Sequence, residues 1–264
     1  RKDSPLIVGK SENGSFIASD VPAILKYTRT VYYVDNQEVV ELQQDGLRFF
    51  SVDEEELEKQ PVTIDWDANA AEKAGYEHFM LKEIYEQPKT INDTISPRIK
   101  DNDIVIEELN MSDEEIKEIT KIHIVACGSA YHTGVTAKYV IEGLARIPVE
   151  VDVASEFRYR DPILQKGNMV IVISQSGETA DTLAALRESK EKGFKVLGIV
   201  NVVGSSIARE ADSVMYTWAG PEIAVATTKA YSAQLTALYM LAMKFAKVRG
   251  TVDQEKFAGM LADL

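Results

Sequence analysis

Cysteine is almost absent from this chain. Cys127 stands alone among 264 residues, so no intrachain disulfide can form and no cysteine cluster with zinc spacing exists. Histidine is nearly as scarce: His78, His123 and His132 form no metal motif. So little cysteine suits a reducing compartment, and the expected location is cytoplasmic. Long apolar runs are missing too, with none near the roughly 18–20 residues of a membrane helix, so no membrane partner is expected. Positive charge is in deficit, 29 Lys and Arg against 42 Asp and Glu, giving a formal net charge of -13. That balance argues against nucleic acid and anionic membranes as partners. It is compatible with an anionic small ligand, which backbone dipoles can hold inside an acidic protein. The opening "RKDSPLIVGK" has neither an initiator Met nor an apolar signal segment, and reads as an internal start within a longer gene product.

What is present divides by pattern. "PLIVG" and "SFIAS" flank Glu12-Asn13-Gly14, "TVYYV" and "EVVEL" flank Asp35-Asn36, and "GLRFF" follows Gln44-Asp45-Gly46. These predict hairpins of an antiparallel sheet. Asp20-Val21-Pro22 predicts a short helix through Tyr27. The acidic run "SVDEEELEKQ" reads as a solvated linker or helix face. Beyond it Ala70, Ala74, His78, Leu81 and Ile84 or Tyr85 share one face of a predicted helix, with His78 packed on it and Pro88 ending it after Gln87. Ser112 and Glu115 have capping-box spacing.

From residue 121 to about 250, short apolar strands alternate with helices: "KIHIVACG", "PVEVDVA", "NMVIVIS", "KVLGIVN" and "SVMYTW" are the strands. This predicts an α/β domain of three layers, αβα, with a five-stranded parallel sheet. A helix over 178–192 places Ala180, Leu183 and Ala184 inward. The last long helix, from about Thr227 to Lys247, is apolar almost all round and predicts burial between layers or at an interface.

In such sheets ligands bind at the carboxyl ends of strands. Three turns qualify. "ACGSAYHTG" follows the first strand and fits neither a dinucleotide fingerprint nor a phosphate-binding Walker loop. "SQSGETADT" crowds Ser174, Gln175, Ser176, Gly177 and Thr179 into one strand-to-helix turn, with the helix starting near Glu178. Capping requires one hydroxyl; three, with a Gln and a Gly, suit a phosphate monoester met by neutral donors and a positive dipole end. Thr227 and Thr228 open the last helix, where they read as caps unless they lie at the same edge. No Cys–His–Asp or Ser–His–Asp grouping surrounds Cys127 or Ser174. Glu178 is the nearest acid–base candidate, and the dipole of its helix alone accounts for it.

The stretches "SQSGETADTLAALRESK", "ASEFRYRDP", "GSSIAREAD" and "AGPEIAVATTKAYSAQL" resemble the first sugar isomerase (SIS) domain of the glutamine–fructose-6-phosphate aminotransferases. "KEIYEQP" with "YEHFM" is similar to that family's inter-domain helix, and "SPLIVG…FIASDVPAIL" to the end of its glutaminase domain, an N-terminal-nucleophile fold. The resemblance implies three parts: an incomplete glutaminase domain over 1–60, linker helices over 61–120, and the first SIS domain over 121–264. It implies that Ser174, Gln175, Ser176 and Thr179 bind the phosphate of fructose 6-phosphate. Gly128 and Ser129 would then lie by the sugar in the first turn, and Val225 and Thr227 in the third. A homodimer is implied, with neither a metal nor an organic cofactor and with no catalytic residue of the parent reaction in this part, which alone would be inactive. Ala130 departs from the family, which usually has Ser there, and Thr227 stands where Ser is common. A SIS-type regulator without catalysis and a fructosamine-phosphate deglycase are the alternatives.

Overall fold

The computed structural model describes residues 1–2, 5–12, 14–21, 23–43, 46–64 and 73–264. The chain forms two compact units, Arg1–Lys82 and Glu83–Leu264.

In the first unit, β1 (Ile7–Ser11), β2 (Gly14–Ala18), β3 (Thr30–Tyr33), β4 (Glu38–Leu42), β5 (Leu47–Ser51), β6 (Glu56–Leu57) and β7 (Val62–Thr63) make two antiparallel sheets, ordered β2-β1-β3-β7 and β4-β5-β6. The β1–β2 and β4–β5 hairpins form as expected; their turn residues Asn13, Gln44 and Asp45 lie outside the described residues. The β3–β4 hairpin does not form. β3 pairs with β1 and β7, and β4 turns away to pair with β5. The acidic run contributes β6 at a sheet edge, where Glu56 takes a bidentate bond from Arg48. Asp20 accepts from Ala23 N–H at 3.0 Å like a cap, but residues 23–27 make only hydrogen-bonded turns.

The helix α1 runs Phe79–Ile95. Ala70 lies outside the described residues; Ala74 adopts φ 48° and Gly75 φ 86°, so residues 73–78 form turns and His78 is exposed rather than packed. Pro88 does not end the helix. It cannot donate to the Ile84 carbonyl, and the Gln87 side-chain amide donates there instead, at 3.1 Å. The buried stripe of α1 is polar, comprising Glu83, Thr90 and Thr94, while Leu81, Ile84 and Tyr85 are exposed.

The second unit continues with the small hairpin of β8 (Ile99–Lys100) and β9 (Asp103–Ile104), then α2 (Asp113–Glu118), whose Ser112–Glu115 capping box forms as expected. Next come β10 (Lys121–Ala126), α3 (Gly128–Leu144), β11 (Val149–Val153), α4 (Ala154–Phe157), β12 (Asn168–Ser174), α5 (Ala180–Glu191), β13 (Val196–Val200), α6 (Ser206–Glu210), β14 (Ser213–Tyr216), α7 (Lys229–Val248) and α8 (Gln254–Asp263). The five strands are parallel in the order β11-β10-β12-β13-β14. β10, β12 and β13 are buried on both faces, which their unbroken apolar runs require. α3 and α7 cover one face and α4, α5 and α6 the other, giving the three expected layers. The inward side of α5 is Thr182, Leu183, Ala185, Leu186 and Ser189, so Ala180, expected inside, is exposed. Most of α7 is buried against α3 and the sheet, which accounts for its apolar surface. Among the described residues, no helix is long and apolar enough to cross a membrane.

Candidate functional site

The chain leaves β10 into α3 on one face of the sheet and leaves β12, its neighbour, into α5 on the other. Between two adjacent strands whose helices diverge, the carboxyl edge must open into a crevice. A cavity of about 240 Å³ occupies that place. The first turn gives it Cys127, Ser129 and Ala130; the second gives Ser174, Gln175, Ser176 and Thr179; the third, between β14 and α7, gives Ala224, Val225 and Thr227. Seven of the eight expected ligand residues therefore line one cavity. Gly128 is the exception: it shapes the first turn from behind, at φ 56°, where a Cβ would meet no neighbour within 4 Å. Its glycine is needed for the left-handed backbone alone.

The second turn is locked by its own hydroxyls. Ser174, nearly buried, accepts from Gly177 N–H at 3.0 Å and lies 2.9 Å from Thr179 Oγ1. Ser176 accepts from Glu178 N–H at 3.2 Å. Thr179 occupies the N-cap of α5, yet its hydroxyl does not cap the helix; it faces Ser174 across the turn. The first helical bond runs from Leu183 N–H to the Thr179 carbonyl, so the amides at 180–182 have no partner inside the helix. Gly177, at φ 67°, lets the turn pass Ser205, whose Oγ a Cβ would meet at 2.0 Å. Carbonyls of Gln175 and Gly177 accept from Asn201 and Ile207 N–H groups, tying the turn to the end of β13 and to α6.

Glu178 does not sit in α5, which starts two residues later, and its role is not that of a dipole partner to α5. Its carboxylate accepts from Ser206 N–H at 2.7 Å and from Ser206 Oγ at 2.8 Å, capping α6. Cys127 lines the cavity with Thr182 Oγ1 3.9 Å from its sulfur. His123 is buried in β10, with its Nε2 3.2 Å from Asn168 Oδ1, and His132 is exposed on α3. Among the described residues no cluster of His, Cys, Asp or Glu could hold a metal ion.

Two lining residues escape sequence reasoning. Glu222 accepts from Thr228 and Ala230 N–H groups at 2.9 and 3.2 Å and from Thr227 Oγ1 at 2.8 Å. It caps α7 from six residues upstream, which neither Thr227 nor Thr228 does. Gln234, a lone amide in the apolar run of α7, faces the cavity while itself nearly buried, and that isolation was its signal. No lysine or arginine stands among the lining residues. An anion here would meet hydroxyls, amides and the positive ends of α3 and α5, beside a Glu222 carboxylate already engaged by Thr227, Thr228 and Ala230.

Comparison with known proteins places this geometry. Residues 115–244 match the SIS domain family. The glutamine–fructose-6-phosphate aminotransferase of Clostridium acetobutylicum is 60% identical over 265 residues, covering all of this chain and 44% of that protein. The same-named protein of Caldanaerobacter subterraneus subsp. tengcongensis is 57% identical, again over all of this chain and 44% of its own length. Among solved structures, the C-terminal domain of glucosamine-fructose-6-phosphate aminotransferase from Francisella tularensis matches with a TM-score of 0.69 and 43% identity, over 73% of this chain and 54% of that one. The chain spans somewhat under half the length of the curated relatives it matches; over all of its own length it is similar to the glutamine–fructose-6-phosphate aminotransferases, and residues 115–244 match the SIS domain.

Proposed function

We propose that this chain holds the sugar phosphate of a glutamine–fructose-6-phosphate aminotransferase, an enzyme making glucosamine 6-phosphate from fructose 6-phosphate and glutamine. Ser174, Gln175, Ser176 and Thr179 bind the phosphate. Gly128, Ser129, Val225 and Thr227 border the sugar. One observation carries the reading: Thr179 stands at a helix N-cap and withholds its hydroxyl from capping, pairing it with Ser174 Oγ instead, and Ser174, Ser176 and Thr179 together line a cavity at the switch point of the sheet.

The cavity offers donors and a capped carboxylate but no evident acid–base pair. The chain therefore binds the substrate, while amination and isomerisation draw on groups elsewhere in the parent protein. The antiparallel sheets of the first unit belong, in this reading, to the end of the glutaminase domain. The expected homodimer draws no support from α7, whose apolar sides are taken up within the chain; sedimentation of the purified chain measures it directly.

Thermal shift with fructose 6-phosphate tests the site. At a ligand concentration of about 100 Kd the wild type should gain about 2.7 kcal/mol. Each hydroxyl bonded to a charged phosphate contributes about 1.5–3 kcal/mol, so Ser176→Ala and Thr179→Ala should weaken affinity roughly 10- to 100-fold. Equal stabilisation of wild type and both variants would remove the phosphate from this turn.

A further inference from the structure

The third loop of the cavity, residues 217–228, has no regular secondary structure and is held from two sides. Glu222 ties its later half to the start of α7. Glu83 of α1 ties its middle: one carboxylate oxygen, Oε1, accepts from Ile223 N–H at 2.6 Å and Ala224 N–H at 3.1 Å. Two successive amides aimed at one point make a small anion nest. Here a side chain of the same chain, 140 positions before Ile223, fills it.

Glu83 is only 2% exposed, and its second oxygen is buried without a hydrogen-bond partner. Burying a carboxylate on two amides is costly in desolvation, and an apolar residue at this place would avoid that cost. What an apolar residue could not do is hold the loop. Ala224, held at the first anchor, and Val225, between the two, are both on the cavity wall, and Val225 projects fully into solvent at its rim.

We propose that Glu83 is a positioning residue for the sugar side of the cavity: from outside the pocket it sets where Ala224 and Val225 stand against a bound hexose phosphate. The proposal rests on the sugar-phosphate reading of the site. It separates two parts of recognition. The phosphate is gripped by the second turn, which Glu83 does not touch, so Glu83 governs affinity for the sugar and leaves affinity for inorganic phosphate alone.

The full 264-residue chain is compared with Glu83→Leu, which removes the acceptor, and with Glu83→Gln, which keeps one acceptor oxygen. Hydrogen exchange is followed at Ile223 and Ala224, and calorimetric affinity is measured for fructose 6-phosphate and for inorganic phosphate. In Glu83→Leu the two amides should exchange about 10-fold faster or more, with β12 amides unchanged, and fructose 6-phosphate should bind about 10-fold more weakly with inorganic phosphate unaffected. Glu83→Gln should stay near wild type in every measurement. If Glu83→Leu does not fold, Glu83→Asp, which withdraws the carboxylate by one methylene, is read by the same two measurements. Wild-type protection of both amides, or faster exchange with unchanged fructose 6-phosphate affinity, would overturn the proposal, as would equal loss of both ligands. A wild type that binds neither ligand sinks the sugar-phosphate reading and the affinity claim with it; the exchange data, which need no ligand, still report whether Glu83 holds the loop.

Discussion

Gly177 shows how little freedom the second turn has. Its φ of 67° is strained for any L side chain, and a Cβ would come within 2.0 Å of Ser205 Oγ and 2.5 Å of Ser205 Cβ. Left-handed backbone costs a non-glycine residue about 1–2 kcal/mol, and overpacking a filled site about 1–3. Gly177→Ala should therefore destabilise the chain by roughly 2–5 kcal/mol. A denaturation midpoint equal to wild type would mean that the turn relaxes at no cost. At this scale the sequence was informative. A Gly among three hydroxyls at a strand-to-helix junction announces a crowded, left-handed turn, and all four polar residues of "SQSGET" expected at the ligand reach the cavity. Glu178 was not legible, since its partner Ser206 belongs to a different strand–helix unit. Ala130 brings a methyl, and no hydroxyl, to the cavity wall beside Ser129.

Among the elements, α1 departs furthest from its sequence pattern. Periodicity placed apolar residues inward and Pro88 at the end; the helix instead continues to Ile95 and buries a polar stripe. The polar stripe owes its burial to partners far along the chain, while Pro88 is answered locally by Gln87. Gln87 donates to the carbonyl that Pro88 leaves open and accepts from Ser232 Oγ at 2.6 Å. Thr94 Oγ1 donates to the Thr217 carbonyl, and the Arg98 guanidinium to the carbonyls of Thr94 and Tyr216 and to Glu108. Local pattern cannot disclose bonds across more than a hundred positions. By contrast β10, β12 and β13 were plain in the sequence, because a strand buried on both faces has to be apolar throughout. Arg98, 1% exposed, is the main fastening of the helix end to the sheet. Arg98→Met would leave Glu108 and two carbonyls without their donor, a loss of about 3–5 kcal/mol. Chemical denaturation measures it, and a loss below 1 kcal/mol would show the fastening to be idle.

For the molecule as a whole, acidity weighs on stability at the edge of the sheet opposite the cavity. Lys121, by its hydrogen bond first and then together with Arg160, lowers the Glu150 carboxyl from 4.5 to about 2. Burial, and next the charge of Lys121, lowers His123 below 6.5. Both groups resist protonation in the folded chain more than in the unfolded one. The unfolded state therefore takes up protons first as pH falls, and the linkage favours it. His123 should cost stability as pH drops below 6.5, and Glu150 further cost between 4.5 and about 2. Urea midpoints at pH 7.5, about 5.5 and about 3.5 should fall in that order, and His123→Gln should flatten the first step. A midpoint constant from neutral to acid would refute this. The fold class was legible at this scale, since alternating strands and helices announce a parallel sheet. The separation of β3 from β4 was not, because a turn signal says where a chain bends and not which strand it meets next.

The polar stripe of α1 has one more consequence, in the order of synthesis. A ribosome delivers residues 79–95 long before residues 217–232, where most of the partners of that stripe lie. A helix waiting with an apolar docking face would invite aggregation during that interval. Glu83, Thr90 and Thr94 are at ease in water, so this face can stay wetted until the last strand and the loop after it emerge. The pocket wall at Ala224 is thus fitted to its support only when nearly the whole second unit exists, and a nascent chain stopped short of it has the turn from Ser174 to Thr179 without the wall beside it.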